Sequence, residues 1–157
     1  MSDVSRFSVE ELESAFAAYQ EAASVAGATG DWNQWADLFT EDATYVEHLY
    51  GVFEGREAIR AWITSTMSAW PNSAFTSFPC EWHVVDAERG WVVTKVWNRL
   101  EDPGDGSVFE QYNLTILHYA GSGRWSHEED IYNPEHFATV VKDWIDRRRS
   151  LGRADGE

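Results

Sequence analysis

The sequence predicts an α+β fold in which helices pack on one face of a curved antiparallel sheet. Three observations predict it. Apolar residues near the N-terminus recur at spacings of three and four, the period of a helix face. From Phe78 the texture changes to runs rich in Val, Thr, Trp and Tyr, separated by turn signals at 87–90, 103–106 and 121–123. A helical period returns after Asn133-Pro134. Helices followed by a run of strands imply α+β rather than the alternation of a parallel sheet. A strongly curved sheet wrapped on the first helix would form a conical α+β barrel with an internal cavity.

The elements follow in order. Ser8-Val9-Glu10-Glu11 reads as a capping box that opens the first helix. Val9, Leu12, Phe16, Tyr19 and Ala23 form its apolar stripe, and Gly27 and Gly30 are expected to end it. Asp31 caps a second short helix with Trp32, Trp35 and Phe39 on one face. Residues 43–49 read as a strand, followed by a glycine-bounded loop. Gly55 precedes a third helix with Ile59, Trp62, Ile63 and Met67 inward, stopped by Pro71. Four consecutive strands follow, in FPCEWHVVDAERGWVVTKVWNRL, SVFEQYNLTILHYA and RWSHEEDIY. The last helix begins at Asn133-Pro134, with Phe137, Val140, Val141 and Trp144 on one face.

At 157 residues the chain reads as one domain over 1–150, with a flexible tail at 151–157. The formal charge of −15, from 12 basic and 27 acidic residues, excludes a nucleic-acid partner, since such a surface repels phosphate. Arg147-Arg148-Arg149 sits where cations complement a helix C-terminus and reads as a cap. Cys80 is the single cysteine, so no intrachain disulfide can form. No apolar run approaches a membrane span, and the first residues show no signal-peptide pattern. A cytoplasmic protein is expected. The 9 Trp, 8 Phe and 6 Tyr can wall an apolar cavity as readily as fill a core.

The strand ATYVEHL is the first place to look for function, because Tyr45, Glu47 and His48 share it with apolar residues. Successive strand residues point to opposite faces. Tyr45 and Glu47 therefore share one face and His48 takes the other unless a bulge intervenes. By the same alternation Lys95, Trp97 and Arg99 point one way, as do Tyr112, Leu114, Ile116 and His118, and again Glu128, Asp130 and Tyr132. Val92, Val96, Asn113, Thr115 and Leu117 are then expected on the outer face, which suits an isologous homodimer.

The element order, with FTEDATY, GREAI, YNLTIL and EEDIYNPEHF, resembles the nuclear transport factor 2-like superfamily over residues 9–146. That superfamily includes SnoaL-type polyketide cyclases, ketosteroid isomerases, scytalone dehydratases and limonene epoxide hydrolases. Against the epoxide hydrolases, Tyr45 and Glu47 fall on the tyrosine and asparagine that hold the attacking water. Asp130 matches one catalytic aspartate, Lys95 falls on the arginine, and Trp97 occupies the second aspartate position. Without that carboxylate the family's epoxide mechanism cannot be assembled. Against the ketosteroid isomerases, His48 falls on the proton-shuttling aspartate, with Glu47 one residue away and favoured as the inward group.

The resemblance and the alternation together bring Tyr45, Glu47, Lys95, Glu128 and Asp130 into a pocket walled by Trp62, Trp97, Tyr112, Leu114 and Ile116. Carboxylates in such a pocket cannot all ionise cheaply, and one held near neutrality can move a proton. Asp130 or Glu47 is the expected base, Tyr45 the donor to an oxyanion and Lys95 the orienting partner. An Asp130–Lys95 pair could equally serve as a buried salt bridge between strands. Neither a metal nor a cofactor is expected. The expectation is isomerisation, dehydration or cyclisation of a hydrophobic cyclic or polyketide-like molecule. A non-catalytic hydrophobic-ligand-binding protein of the same fold, an epoxide hydrolase with an altered site and a dimerising interaction module are the alternatives.

Overall fold

The computed structural model describes residues 6–156. The parts of the predicted domain and tail that fall on 1–5 and 157, and the start of the segment read for a signal peptide, lie outside those residues. The helices are α1 (Val9–Thr29), α2 (Asn33–Ala36), α3 (Arg56–Ser68) and α4 (Pro134–Ser150). The strands are β1 (Phe39–Glu47), β2 (Gly51–Glu54), β3 (Phe75–Ser77), β4 (Cys80–Asp86), β5 (Trp91–Leu100), β6 (Glu110–Gly121) and β7 (Arg124–Ile131). They form one sheet in the order β2-β1-β7-β6-β5-β3, with β4 also on β5. Only β1 and β7 pair in parallel. The sheet is curved and unclosed, as the α+β cone requires.

Ser8 opens α1 by accepting the Glu11 amide at 3.1 Å. The helix runs through Gly27 and stops at Gly30, whose left-handed backbone (φ 78°) returns its N–H to Ala26. Gly27 therefore serves packing rather than termination. A Cβ there would lie 2.4 Å from the Thr76 carbonyl oxygen, so only glycine lets α1 approach the backbone beside β3. The helix N-terminal to it buries Leu12, Phe16 and Tyr19, while Val9, the first residue of the predicted stripe, is exposed.

β2 and β3 went unanticipated. Three of the four β2 residues are exposed, so no apolar alternation marks it. β3 is three residues long and separated from β4 by Phe78-Pro79, which breaks one edge strand into two pieces. β1 starts at Phe39, four residues before the predicted strand, because Phe39 is itself part of the buried face.

The main core lies between α1, α2, α3 and the concave sheet face. Phe16, Trp35, Phe39, Ile59, Leu117 and Trp125 are its central members. A second cluster under α4 joins Trp144 to Ala74, Phe75 and Leu100. Asn133 caps α4 by accepting the Glu135 amide at 3.0 Å. The arginines at its other end do more than cap. Arg148 is buried, sits 4.9 Å over the Trp144 ring, and donates to the Ala154 carbonyl. Arg147 pairs with Asp105 in the turn before β6, while Arg149 pairs with Asp155, so Arg148 and Arg149 hold the segment after Ser150 against α4. None of the described helices is long and apolar enough to cross a membrane.

Candidate functional site

A cavity of about 400 Å³ opens between α1, α3, α4 and the concave sheet face. Its carboxyl groups come from β1 and β7, and further polar side chains from β5, β6, α1 and α3. The parallel register sets Tyr45 opposite Glu128 and Glu47 opposite Asp130. The antiparallel register on the other side of β7 sets Thr115 opposite Asp130 and Leu117 opposite Glu128. Residues directly opposite share a face, so one patch of the wall gathers two phenols, three carboxyls and the amides of Asn98 and Asn113.

The hydrogen bonds form a continuous chain. Tyr19 from α1 donates to Glu128 Oε1 at 2.7 Å, and the Tyr45 hydroxyl lies 3.1 Å from the same oxygen. Tyr45 also donates to Asp130 Oδ2 in a very short contact. Asp130 Oδ1 accepts from Thr115 Oγ1 at 2.6 Å and from Asn113 Nδ2 at 3.2 Å. Asn98 Nδ2 in turn donates to Asn113 Oδ1 at 2.7 Å, which fixes the amide that faces Asp130.

Burial sets the charge states. Glu128 is 1% exposed and its Oε2 has no hydrogen-bond partner among the described residues. Loss of hydration, and then the neighbouring Asp130 charge, push its carboxyl well above the usual range. It is the neutral acid of the pair. Asp130 remains partly open to the cavity, and burial lifts its carboxyl to about 6 although Thr115 and Tyr45 favour the ion. Burial followed by the carboxylate charges raises Tyr19 and Tyr45 far above the ordinary phenol, so both stay protonated donors.

Glu47 faces the cavity and His48 does not, as the alternation favoured. The Glu47 carboxylate accepts the amides of Leu49 at 2.8 Å and Tyr50 at 2.6 Å, bracing the turn at the cavity mouth. His48 lies on the opposite face, 2.8 Å from Glu129. Trp62 lines the cavity from α3, 4.8 Å from the Tyr45 ring.

Lys95, Trp97, Tyr112, Leu114 and Ile116 lie on the outer side of the sheet and not in the cavity wall expected of them. Lys95 pairs with Glu81 at 2.7 Å and lies 4.5 Å over the Tyr112 ring on the outer face, away from Asp130. The expected Lys95–Asp130 bridge does not form. Trp97 packs edge-on against Tyr112, which is 41% exposed. The residues read as outer, Val92, Asn113, Thr115 and Leu117, are buried, and Val96 lines the cavity. Alternation along β5 and β6 was correct, but its sense was inverted. Both faces of these strands carry apolar side chains, so hydropathy does not distinguish inside from outside. His118 is likewise outer: it stacks between Trp91 and His127, and burial beside His127 lowers it to about 4. No cluster of three or more metal-ligating side chains occurs among the described residues.

Sequence reasoning missed Tyr19, Asn98, Asn113 and Thr115. One signal was present for Thr115. A tight turn pairing Gly121 with Arg124 also sets Thr115 against Asp130, so an inward Asp130 requires an inward Thr115. Tyr19 gave none, since a phenol in an apolar helical stripe reads as core.

A conical α+β fold enclosing an aromatic hollow with a polar wall is that of small-molecule-binding domains. The SnoaL-like domain matches residues 16–127, and the chain belongs to that family. Among solved structures, a hypothetical protein with a ketosteroid isomerase-like fold from Catenulispora acidiphila, in complex with trimethylamine, has a TM-score of 0.63 at 21% identity. The match covers 79% of this chain and 92% of that one. An epoxide hydrolase of the limonene epoxide hydrolase type from M. tuberculosis has a TM-score of 0.66 at 11% identity, covering 92% and 95%. A putative isomerase from Bacillus subtilis has a TM-score of 0.66 at 16% identity, covering 90% and 96%. At such identities the likeness establishes the fold and leaves the chemistry to the site. No curated protein matches the sequence.

Proposed function

We propose that this protein is an enzyme that moves protons on a hydrophobic small molecule, with Asp130 as the general base. The reaction class is isomerisation, dehydration or aldol-type cyclisation. One observation carries the reading: a carboxyl in the wall of an apolar cavity, held by Thr115, Asn113 and Tyr45 and poised at about 6. A base with that poise takes a proton at neutral pH and returns it without a large energetic penalty. Tyr45 is a positioning residue, because its single hydrogen is committed to Asp130 rather than to a substrate oxyanion. Glu128 supports the same phenol from behind. Glu47 holds the mouth and faces Asp130 across the strand pair.

The pH profile of turnover on conjugated cyclic ketones is the direct test. The base must be ionised, so kcat/KM is expected to rise with pH and level off above about 6. A flat profile would overturn the assignment of Asp130. The carrier reading has its own support, since the Tyr19, Tyr45 and Thr115 hydroxyls are turned onto Glu128 and Asp130 and the Asn98 amide onto Asn113 and the Gln111 carbonyl, so none of these donors is aimed at a substrate carbonyl. Saturable binding with no turnover on any cyclic ketone would favour it. The M. tuberculosis relative is an epoxide hydrolase, but among the described residues no Arg or Lys lines this cavity to serve as the cation of the epoxide-opening set.

A homodimer through the outer sheet face belongs to the same proposal. That face carries Trp97 and Ile116 together with the exposed Trp82, Val84 and Tyr112. Sedimentation at micromolar concentration should give twice the monomer mass; a pure monomer removes the dimer.

A further inference from the structure

We propose that the hollow takes a hydrophobic organic ammonium ion, which brings the positive charge that its wall lacks. This deepens the small-molecule reading and rests on it.

The lining contains Glu47, Glu128 and Asp130, and no Lys, Arg or His among its described residues. Lys95 is paired with Glu81 on the outer face, and His48 with Glu129. Glu128 keeps its proton, so Asp130 and Glu47 are the groups left to carry charge. Glu47 is compensated by two backbone amides. Asp130 is compensated only by neutral donors. A carboxylate offers about four acceptor positions. Thr115 and Asn113 take two on Oδ1 and Tyr45 takes one on Oδ2, so Oδ2 keeps acceptor capacity toward the cavity.

The donors around this carboxylate are already spent. Tyr19 is on Glu128, Tyr45 and Thr115 are on Asp130, and the Asn98 amide is on Asn113 and the Gln111 carbonyl. Gln20, Thr66 and Asn72 also line the hollow, as does Trp62, whose indole N–H has no hydrogen-bond partner among the described residues, but all four are neutral. No described lining group therefore brings a positive charge to Asp130, and a ligand has to supply it. An anion is repelled by Asp130 and by a chain of net charge −15. A neutral ligand can enter but brings no countercharge to the desolvated carboxylate, so it binds more weakly than a cation of the same shape.

The walls decide which cation fits. A small hard ion needs six or more oxygen ligands, and this lining is largely apolar and rich in aromatic rings. Trp62 lies 4.8 Å from Tyr45 and 6.1 Å from Tyr50, and Tyr132 lies 4.8 Å from Phe137. Aromatic faces attract an organic cation that has shed its water. A volume of about 400 Å³ suits a one- or two-ring amine.

The test uses an isosteric pair, phenyltrimethylammonium and tert-butylbenzene, titrated into the full chain with tryptophan fluorescence as the readout. Above the Asp130 midpoint of about 6 the ammonium is expected to bind at least ~tenfold tighter. That preference should vanish in Asp130→Asn, and in the wild-type protein when the pH falls below the midpoint, which requires no variant to fold. Equal or tighter binding of tert-butylbenzene overturns the ammonium proposal and leaves the small-molecule reading standing. Failure of both probes to bind overturns both readings. A preference that survives both Asp130→Asn and acid places the cation elsewhere and also overturns the proposal.

Discussion

Changing Asp130 to Asn is expected to lower kcat/KM roughly a hundred- to ten-thousand-fold, while the protein remains folded and becomes more stable at neutral pH. The two effects have one source. Asp130 rises from its ordinary 3.8 to about 6 because burial disfavours the ion. The native state therefore binds the proton more tightly than the unfolded chain. The associated stability is complete below 3.8 and is lost as pH climbs through about 6. Above that point the wild-type protein carries a cost of ~1–3 kcal/mol that the amide avoids. The amide also fits its neighbours. Its oxygen can accept from Thr115 and Asn113, its NH2 can donate to the Tyr45 oxygen, and Tyr45 can turn its hydrogen to Glu128, 3.1 Å away. Thermal melts near neutrality and in acid, beside steady-state turnover, measure both halves. Undiminished turnover would remove Asp130 from the chemistry. A lower melting temperature at neutral pH would mean that its ion is satisfied and not a burden.

Truncating Trp125 to Ala is expected to cost ~3–5 kcal/mol of stability, the largest effect on the fold from one substitution. Trp125 has no exposed surface and packs edge-on against Tyr119 at 5.1 Å and Tyr19 at 6.3 Å. The void would open beneath Tyr19, whose hydroxyl anchors Glu128, so the site should loosen with the core. Its indole N–H has no hydrogen-bond partner among the described residues. Trp125→Phe therefore discards no hydrogen bond and should retain much of the stability. Urea midpoints for the two variants separate packing from polarity. A small loss for Ala would show that the core collapses around the gap.

The legible part of the site is that built from one strand or one tight hairpin. Tyr45 and Glu47 are two apart on β1, so alternation places both on one face, and the same holds for Glu128 and Asp130 on β7. The faces of β5 and β6 were not legible, because Lys95, Trp97 and Ile116 on one side are as bulky and apolar in their stems as Val92, Val96 and Leu117 on the other. Alternation also fails locally on β7. Trp125 and Glu128 are three apart yet both inward, because the β6–β7 register shifts near Tyr119.

The sequence alone determined the order of the long elements, the acidic surface, the caps of α1 and α4 and the gathering of carboxyls on two strands. These depend on neighbours a few residues apart, where period and capping chemistry act directly. The tertiary structure decided which face of the sheet is concave, and hence that Thr115 and Asn113 hold Asp130 while Lys95 lies outside. It also brought Tyr19, 109 positions from Glu128, onto the carboxyl it supports. Such choices are settled by closing long loops and by burying one sheet face instead of the other. The free energy that selects between those faces is summed over the whole core and belongs to no local segment.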